Sequence, residues 1–124
     1  MNYKIKKKKG VPNMNKNNII TADGYDLEVT RTTYAAGGTA VILTTTEGEP
    51  YAVLSVNLSA YGLEFPDDTI AVDPDLMGST GLINAFMDKF GIKPENGKYE
   101  EVTYGPFNTK SYVLKIKPDE IPEA

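Results

Sequence analysis

Residues 48–58 read Gly48-Glu49-Pro50-Tyr51-Ala52-Val53-Leu54-Ser55-Val56-Asn57-Leu58, and this stretch decides the fold class. Gly48 and Pro50 break the chain, and an alternating pattern follows over residues 51–58. Successive side chains of a strand point to opposite faces. Ala52, Leu54, Val56 and Leu58 therefore fall on one side, and Tyr51, Val53, Ser55 and Asn57 on the other. One face is wholly apolar and the other mixed. The spacing predicts a strand with one face laid on a core.

The flanking sequence extends the same pattern. Upstream, residues 39–46 are rich in β-branched side chains, with Ala40, Ile42 and Thr44 alternating against Val41, Leu43 and Thr45. The turn Glu47-Gly48-Glu49-Pro50 joins this run to the strand just described. Two earlier runs, residues 19–21 and 25–34, are separated by Ala22-Asp23-Gly24, and Asp-Gly is a strong hairpin signal because Gly takes the positive φ the turn needs. Sequential strands joined by short turns usually pair, so a meander is the economical topology.

Downstream, residues 59–68 read as a loop and residues 69–72 as a short apolar strand stopped by Asp73-Pro74. The spacing predicts a helix over 79–90, with Ser79 or Thr80 as its cap and an apolar stripe of Leu82, Ile83, Phe86, Met87 and Phe90. Gly91 supplies a left-handed stop and Ile92 the apolar contact beyond it. Two more strands are expected over 99–104 and 111–117, with Gly105-Pro106-Phe107-Asn108 between them. The expected fold is α+β, a single largely antiparallel sheet of about five to seven strands with one helix packed on one face. Residues 1–18 are expected to be a disordered basic arm, 19–117 the domain, and 118–124 a frayed acidic tail.

Composition excludes several chemistries. The 124 residues contain no cysteine and no histidine. A disulfide framework, a thiolate nucleophile and the Ser-His-Asp and Cys-His mechanisms are therefore absent, along with the commonest zinc ligand. No cofactor and no metal site is expected, and the chain reads as a non-enzyme. No apolar run approaches the roughly 20 residues of a membrane helix, and no apolar segment follows the basic N-terminus, so a soluble cytoplasmic protein is expected. Charge is divided unevenly. Lys4, Lys6, Lys7, Lys8, Lys9 and Lys16 lie in the first 16 residues without an acid, whereas the rest holds seven basic and seventeen acidic residues, a net charge of −10. Such a body repels nucleic acid and attracts basic protein surfaces, and only the Lys4 to Lys9 arm would do the reverse.

Glu64, Asp67, Asp68, Asp73 and Asp75 form the richest acidic stretch and are the candidate partner-binding residues. Their spacing does not match a calcium loop, and Asp73 before Pro74 also serves as an ordinary turn residue. Asn57 could aim its amide at a ligand, but suits better the role of satisfying backbone groups where a strand stops. The turn Gly78-Ser79-Thr80-Gly81 places glycines and hydroxyls before a helix, an arrangement that can hold an anion. Tyr25, Tyr34, Tyr51, Tyr61, Tyr99, Tyr104 and Tyr112 fall mostly on expected strands, where a tyrosine-bearing face could serve as an interaction surface.

The segment "GEPYAVLSVNL" resembles the signature of the family known as domain of unknown function 4313. The likeness extends over roughly residues 25–116 through Asp73, the helix end at Gly91 and the closing aromatic-rich strands. The family is encoded mostly on plasmids, conjugative elements and phages of gut bacteria, and no catalytic residue is established for it. The resemblance implies a small accessory protein of a mobile genetic element. By analogy of context it implies a counter-defence inhibitor of the anti-CRISPR type, one that binds a basic nucleic-acid-binding surface of a host effector such as a CRISPR nuclease. The alternative is a small-ligand or nucleotide-binding module built on the Gly78 to Gly81 turn and the adjacent aspartates.

Overall fold

Asp23 and Gly24 both take positive φ, 55° and 83°, and close a two-residue hairpin between strand β1 (Ile19–Ala22) and strand β2 (Tyr25–Thr33). That is the backbone a type I′ turn requires, and it holds β1 and β2 in register with Ala22 opposite Tyr25. Strands β3 (Thr39–Thr45) and β4 (Pro50–Val53) complete an antiparallel four-stranded meander in the order β1-β2-β3-β4. Leu27, Val29, Val41 and Leu43 are fully buried on its inner face. The computed structural model describes residues 18–78, 80–94 and 98–124.

The stretch 51–58 is not one strand. β4 ends at Val53, and the chain then crosses to a second sheet. The Leu54 N–H still donates to Val41 O of the first sheet at 2.8 Å, while the Val56 N–H donates to Ala71 O of the second at 2.8 Å. Between them Ser55 forms an isolated antiparallel bridge with Val72. The crossing is possible because the Ser55 hydroxyl accepts the Val41 N–H at 3.0 Å, replacing the carbonyl a continuing strand would have offered. A shift of register between Leu43 and Thr44 turns Tyr51, together with Ala52, against the core, although strict alternation separates them. Leu58 starts a 3₁₀ turn, Leu58–Tyr61.

The second sheet has the order β5-β7-β6, from β5 (Thr69–Ala71), β6 (Glu100–Tyr104) and β7 (Thr109–Lys115), all antiparallel. The fold is α+β and largely antiparallel, and the seven strands among the described residues are divided between two sheets rather than joined in one.

Among the described residues, two α-helices lie between β5 and β6. Helix α1 (Pro74–Met77) is a single turn capped by Asp73, whose Oδ1 accepts the Asp75 N–H at 2.9 Å. Helix α2 (Thr80–Lys89) carries the expected stripe, with Leu82, Ile83, Phe86, Met87 and Phe90 all buried. It stops where the sequence places the stop. Gly91 takes φ 65°, its N–H reaches Asp88 O at 3.4 Å, and the Ile92 N–H reaches Met87 O at 2.9 Å, the paired bonds of a Schellman motif. Ser79, one of the two expected cap residues, lies outside the described residues. Helix α2 packs on β1 and α1 on β7, so one core cluster spans both sheets and the helix. Burying each of its large side chains is worth about 1.5–3 kcal/mol.

The C-terminal segment corrects the expectation of a frayed tail. Ile121 is fully buried, beside a 3₁₀ turn at Pro118–Glu120. Arg31 Nε donates to both Pro118 O and Ile121 O at 2.7 Å. The Arg31 N–H donates to Pro122 O and its carbonyl accepts the Ala124 N–H, each at 2.9 Å. β1 pairs with β2 only as far as Glu28, and the tail covers the edge farther along, where main-chain groups would otherwise stand open. Asn18, which the sequence assigns to the arm, is also part of the fold. It is buried, its carbonyl accepts the Val29 N–H, and its Nδ2 donates to Val29 O. The rest of that arm, residues 1–17 with Lys4 to Lys9, lies outside the described residues.

Candidate functional site

Residues 56–65, expected to finish a strand and then loop, instead cover the outer face of the second sheet. Leu58 is buried with Ala71 and Tyr104, and Val56, Leu63, Phe65 and Val102 pack around them as a second small apolar cluster. The polar groups beneath are paired: Ser111 Oγ donates to Val72 O at 2.6 Å and shares a 3.1 Å bond with the Tyr104 hydroxyl. Gly62, at φ 78°, reverses the chain after the 3₁₀ turn so that Leu63 and Phe65 can reach this cluster.

A cavity of about 160 Å³ lies between this cover and the β2–β3 turn. Tyr34, Gly37 and Gly38 form one side, and Asn57, Ser59, Leu63, Glu64 and Phe65 contribute to the other. The turn is tight: the Tyr34 N–H donates to Gly38 O and the Gly37 N–H to Tyr34 O, both at 2.9 Å. Gly37 and Gly38 hold φ of 98° and 94°, which side chains with a Cβ adopt only under strain. Ser59 Oγ lies 2.5 Å from Asn57 Oδ1 and 3.2 Å from Gly37 O, tying the two sides together. Asn57 thus bonds a side chain at the start of the 3₁₀ turn, where it makes no side-chain cap, and the expected backbone-satisfying role is corrected.

The five candidate acids do not converge. Asp67 and Asp68 are exposed and line a surface groove with Arg31, Thr39, Pro118 and Asp119. Thr39 Oγ1 donates to Asp67 O at 2.8 Å, and the Ile116 N–H donates to Asp68 O at 2.7 Å, so the main chain of this rim is fixed; both side chains are exposed, and Asp68 Oδ1 accepts the Thr69 hydroxyl at 3.0 Å. Glu64 lines the cavity instead. Asp73 and Asp75 belong to the start of α1. Asp119 is the acid that sequence reasoning missed. Its signal was Ile121, an apolar residue in an otherwise polar tail. Among the described residues no group of three or more acidic side chains is placed to hold a metal ion. Gly78 is exposed at the end of α1 and Ser79 lies outside the described residues, so the anion-turn reading gains no geometry.

The tyrosines do not share one face. Tyr25 pairs with Tyr51 at 5.4 Å beside the β1–β2 turn, Tyr61 with Tyr104 at 5.1 Å, and Tyr99 stacks on Tyr112 at 4.6 Å. Phe107, at the β6–β7 turn, is 88% exposed. Burial raises the pKa of Tyr34 above its ordinary value; its hydrogen bond with Ser55 works against the shift and the negative charge of Asp73 adds to it. Tyr51 is also raised, chiefly by its hydrogen bond to the Asp23 carboxylate at 3.0 Å. No helix among the described residues is long and apolar enough to cross a membrane. No protein-family model, no curated protein and no solved structure matches this chain.

Proposed function

We propose that this protein is a non-enzymatic interaction module that binds a basic, nucleic-acid-binding surface of a host protein. The observation that carries the reading is the groove at Asp67, Asp68 and Asp119, exposed on a body with seven basic and seventeen acidic residues beyond the first 16. A surface of that sign steers basic partners and repels nucleic acid itself. The resemblance of residues 48–58 to the domain of unknown function 4313 family suggests the setting: a mobile-element protein acting in the cytoplasm as a counter-defence inhibitor, with a CRISPR nuclease as one such effector. The absence of histidine and cysteine supports a role in binding rather than in chemistry.

Charge reversal tests this directly. A partner recovered with the wild-type protein and then purified should bind the Asp67→Lys/Asp68→Lys variant more weakly, and wild-type affinity should fall as salt rises, since exposed charges are screened beyond about 8–10 Å. Stability should fall by no more than about 0.5–1.5 kcal/mol, because both side chains are exposed and the bond from the Thr69 hydroxyl to Asp68 Oδ1 is lost. Salt-insensitive affinity together with a neutral charge-reversal variant rejects the acidic-surface mode.

A second reading, small-ligand binding, is favoured by the cavity beside Gly37 and Ser59 rather than by the Gly78 turn. At about 160 Å³ the cavity matches the ~150 Å³ that admits benzene, so a nucleotide is too large for it.

A further inference from the structure

Among the described residues Glu64 is the one charged side chain lining the cavity, and it has no ion pair and no side-chain hydrogen bond. Leu63 and Phe65, its neighbours in the chain, line the same side together with the buried Leu58, and the cavity is about 160 Å³. The lining is mixed, with Tyr34, Thr39, Asn57 and Ser59 beside the apolar groups, and Glu64 is exposed, so apolar surface next to an accessible carboxylate suits a side chain with a hydrocarbon stem and a cationic head. Lysine and arginine have that form, burying the stem along apolar surface while the head stays at a polar rim.

We propose that this cavity is a socket for a lysine or arginine side chain of the partner, with the stem against Leu63 and Phe65 and the charged head at the Glu64 carboxylate. The assignment rests on the basic-partner reading and adds a specific anchor to it. The groove at Asp67 and Asp68 would attract a basic surface without registering it, because exposed charges interact weakly. The socket would supply the register. The Ser59 hydroxyl, within hydrogen-bond distance of Asn57 Oδ1 and Gly37 O, links the two sides of the cavity, which lowers the ordering that binding requires.

The test uses the blocked amino acids N-acetyl-lysine N-methylamide and N-acetyl-arginine N-methylamide, with N-acetyl-norleucine N-methylamide as the uncharged control. Each is titrated into the isotope-labelled full chain while amide shifts are recorded. The expected result is a saturable, millimolar response of the cationic probes confined to Gly37, Gly38, Ser59 and Glu64, with norleucine binding more weakly. Glu64→Gln should weaken the cationic probes about two- to fivefold, the range of an exposed ion pair, and Asp67→Asn/Asp68→Asn should leave them unchanged. Leu63→Trp, which fills the hole without altering charge, should block all three probes. The socket is overturned if norleucine binds as well as lysine, if Leu63→Trp has no effect, or if no probe saturates. Cationic probes that shift only Asp67, Asp68 and Asp119 also overturn it, while leaving the acidic-surface reading intact.

Discussion

Ser55 Oγ accepts the backbone N–H of Val41 at 3.0 Å, and at that point one strand leaves the first sheet for the second. The same hydroxyl shares a 2.9 Å hydrogen bond with Tyr34, so a single buried serine connects β3, the crossing segment and the β2–β3 turn. Leu54, just before it, is fully buried. The sheet junction is therefore apolar packing around one satisfied polar group, the condition under which a buried hydroxyl is tolerated.

Ser55→Ala should destabilise the protein by about 1–3 kcal/mol, because the Val41 N–H and the Tyr34 hydroxyl lose a buried partner. Urea unfolding of the two proteins measures this. A loss under about 0.5 kcal/mol would mean that water replaces the hydroxyl and that the junction does not depend on it.

Alkaline titration should show late deprotonation of Tyr34 and Tyr51. Tyr34 and Tyr51 both have raised pKa values relative to 10.0. A raised folded-state value means that the folded protein holds the phenolic proton more tightly than the unfolded chain. The associated stability is thus complete below about pH 10 and is lost as pH climbs through the higher folded value. Phenolate absorbance followed in the Tyr34→Phe and Tyr51→Phe variants should each lose one late-titrating component. Unchanged late titration in Tyr34→Phe would contradict its burial-driven shift.

Arg31→Met should cost about 1.5–3 kcal/mol, the worth of charge-assisted bonds such as those to Pro118 O and Ile121 O. Ile121→Ala should cost about 2–5 kcal/mol through the cavity it leaves. A chain ending at Lys117 should be destabilised as well, and adding Arg31→Met to it should change little, since both remove the same contacts. Additive losses would show that the tail and Arg31 act independently.

Phe86→Ala, in the middle of the helix stripe and fully buried beside Phe90 at 5.3 Å, should cost about 3–5 kcal/mol. Thermal and urea unfolding give the value. A loss under about 1 kcal/mol would place the helix face elsewhere.

Much of the fold was legible residue by residue. Asp23-Gly24 announced its hairpin, the stripe from Leu82 to Phe90 its buried face, and Gly91-Ile92 the helix stop, because each is a local matter of φ, period or capping. The candidate site was far less legible. Glu64, Asp67, Asp68, Asp73 and Asp75 are close in sequence, yet the structure sends Glu64 to a cavity, Asp73 and Asp75 to a helix start, and Asp67 and Asp68 to a groove completed by Asp119. Proximity along an irregular segment says nothing about which way each carboxylate turns once Leu63 and Phe65 have taken the inward positions.

By itself the sequence determined the α+β class, the strand and helix periods, the core face of α2 and the exclusion of histidine and cysteine chemistry, since these follow from composition and short-range geometry. Only the tertiary structure decided that residues 51–58 divide between two sheets and that the tail completes the edge of β2. It also decided that a socket-sized cavity forms over the second sheet. Each of these turns on a contact between residues distant in the chain: Ser55 with Val41, Arg31 with Ile121, Ser59 with Gly37. Local pattern cannot encode such pairings, because a backbone group that must be satisfied accepts any partner of the right geometry, and packing of the whole chain selects which one arrives.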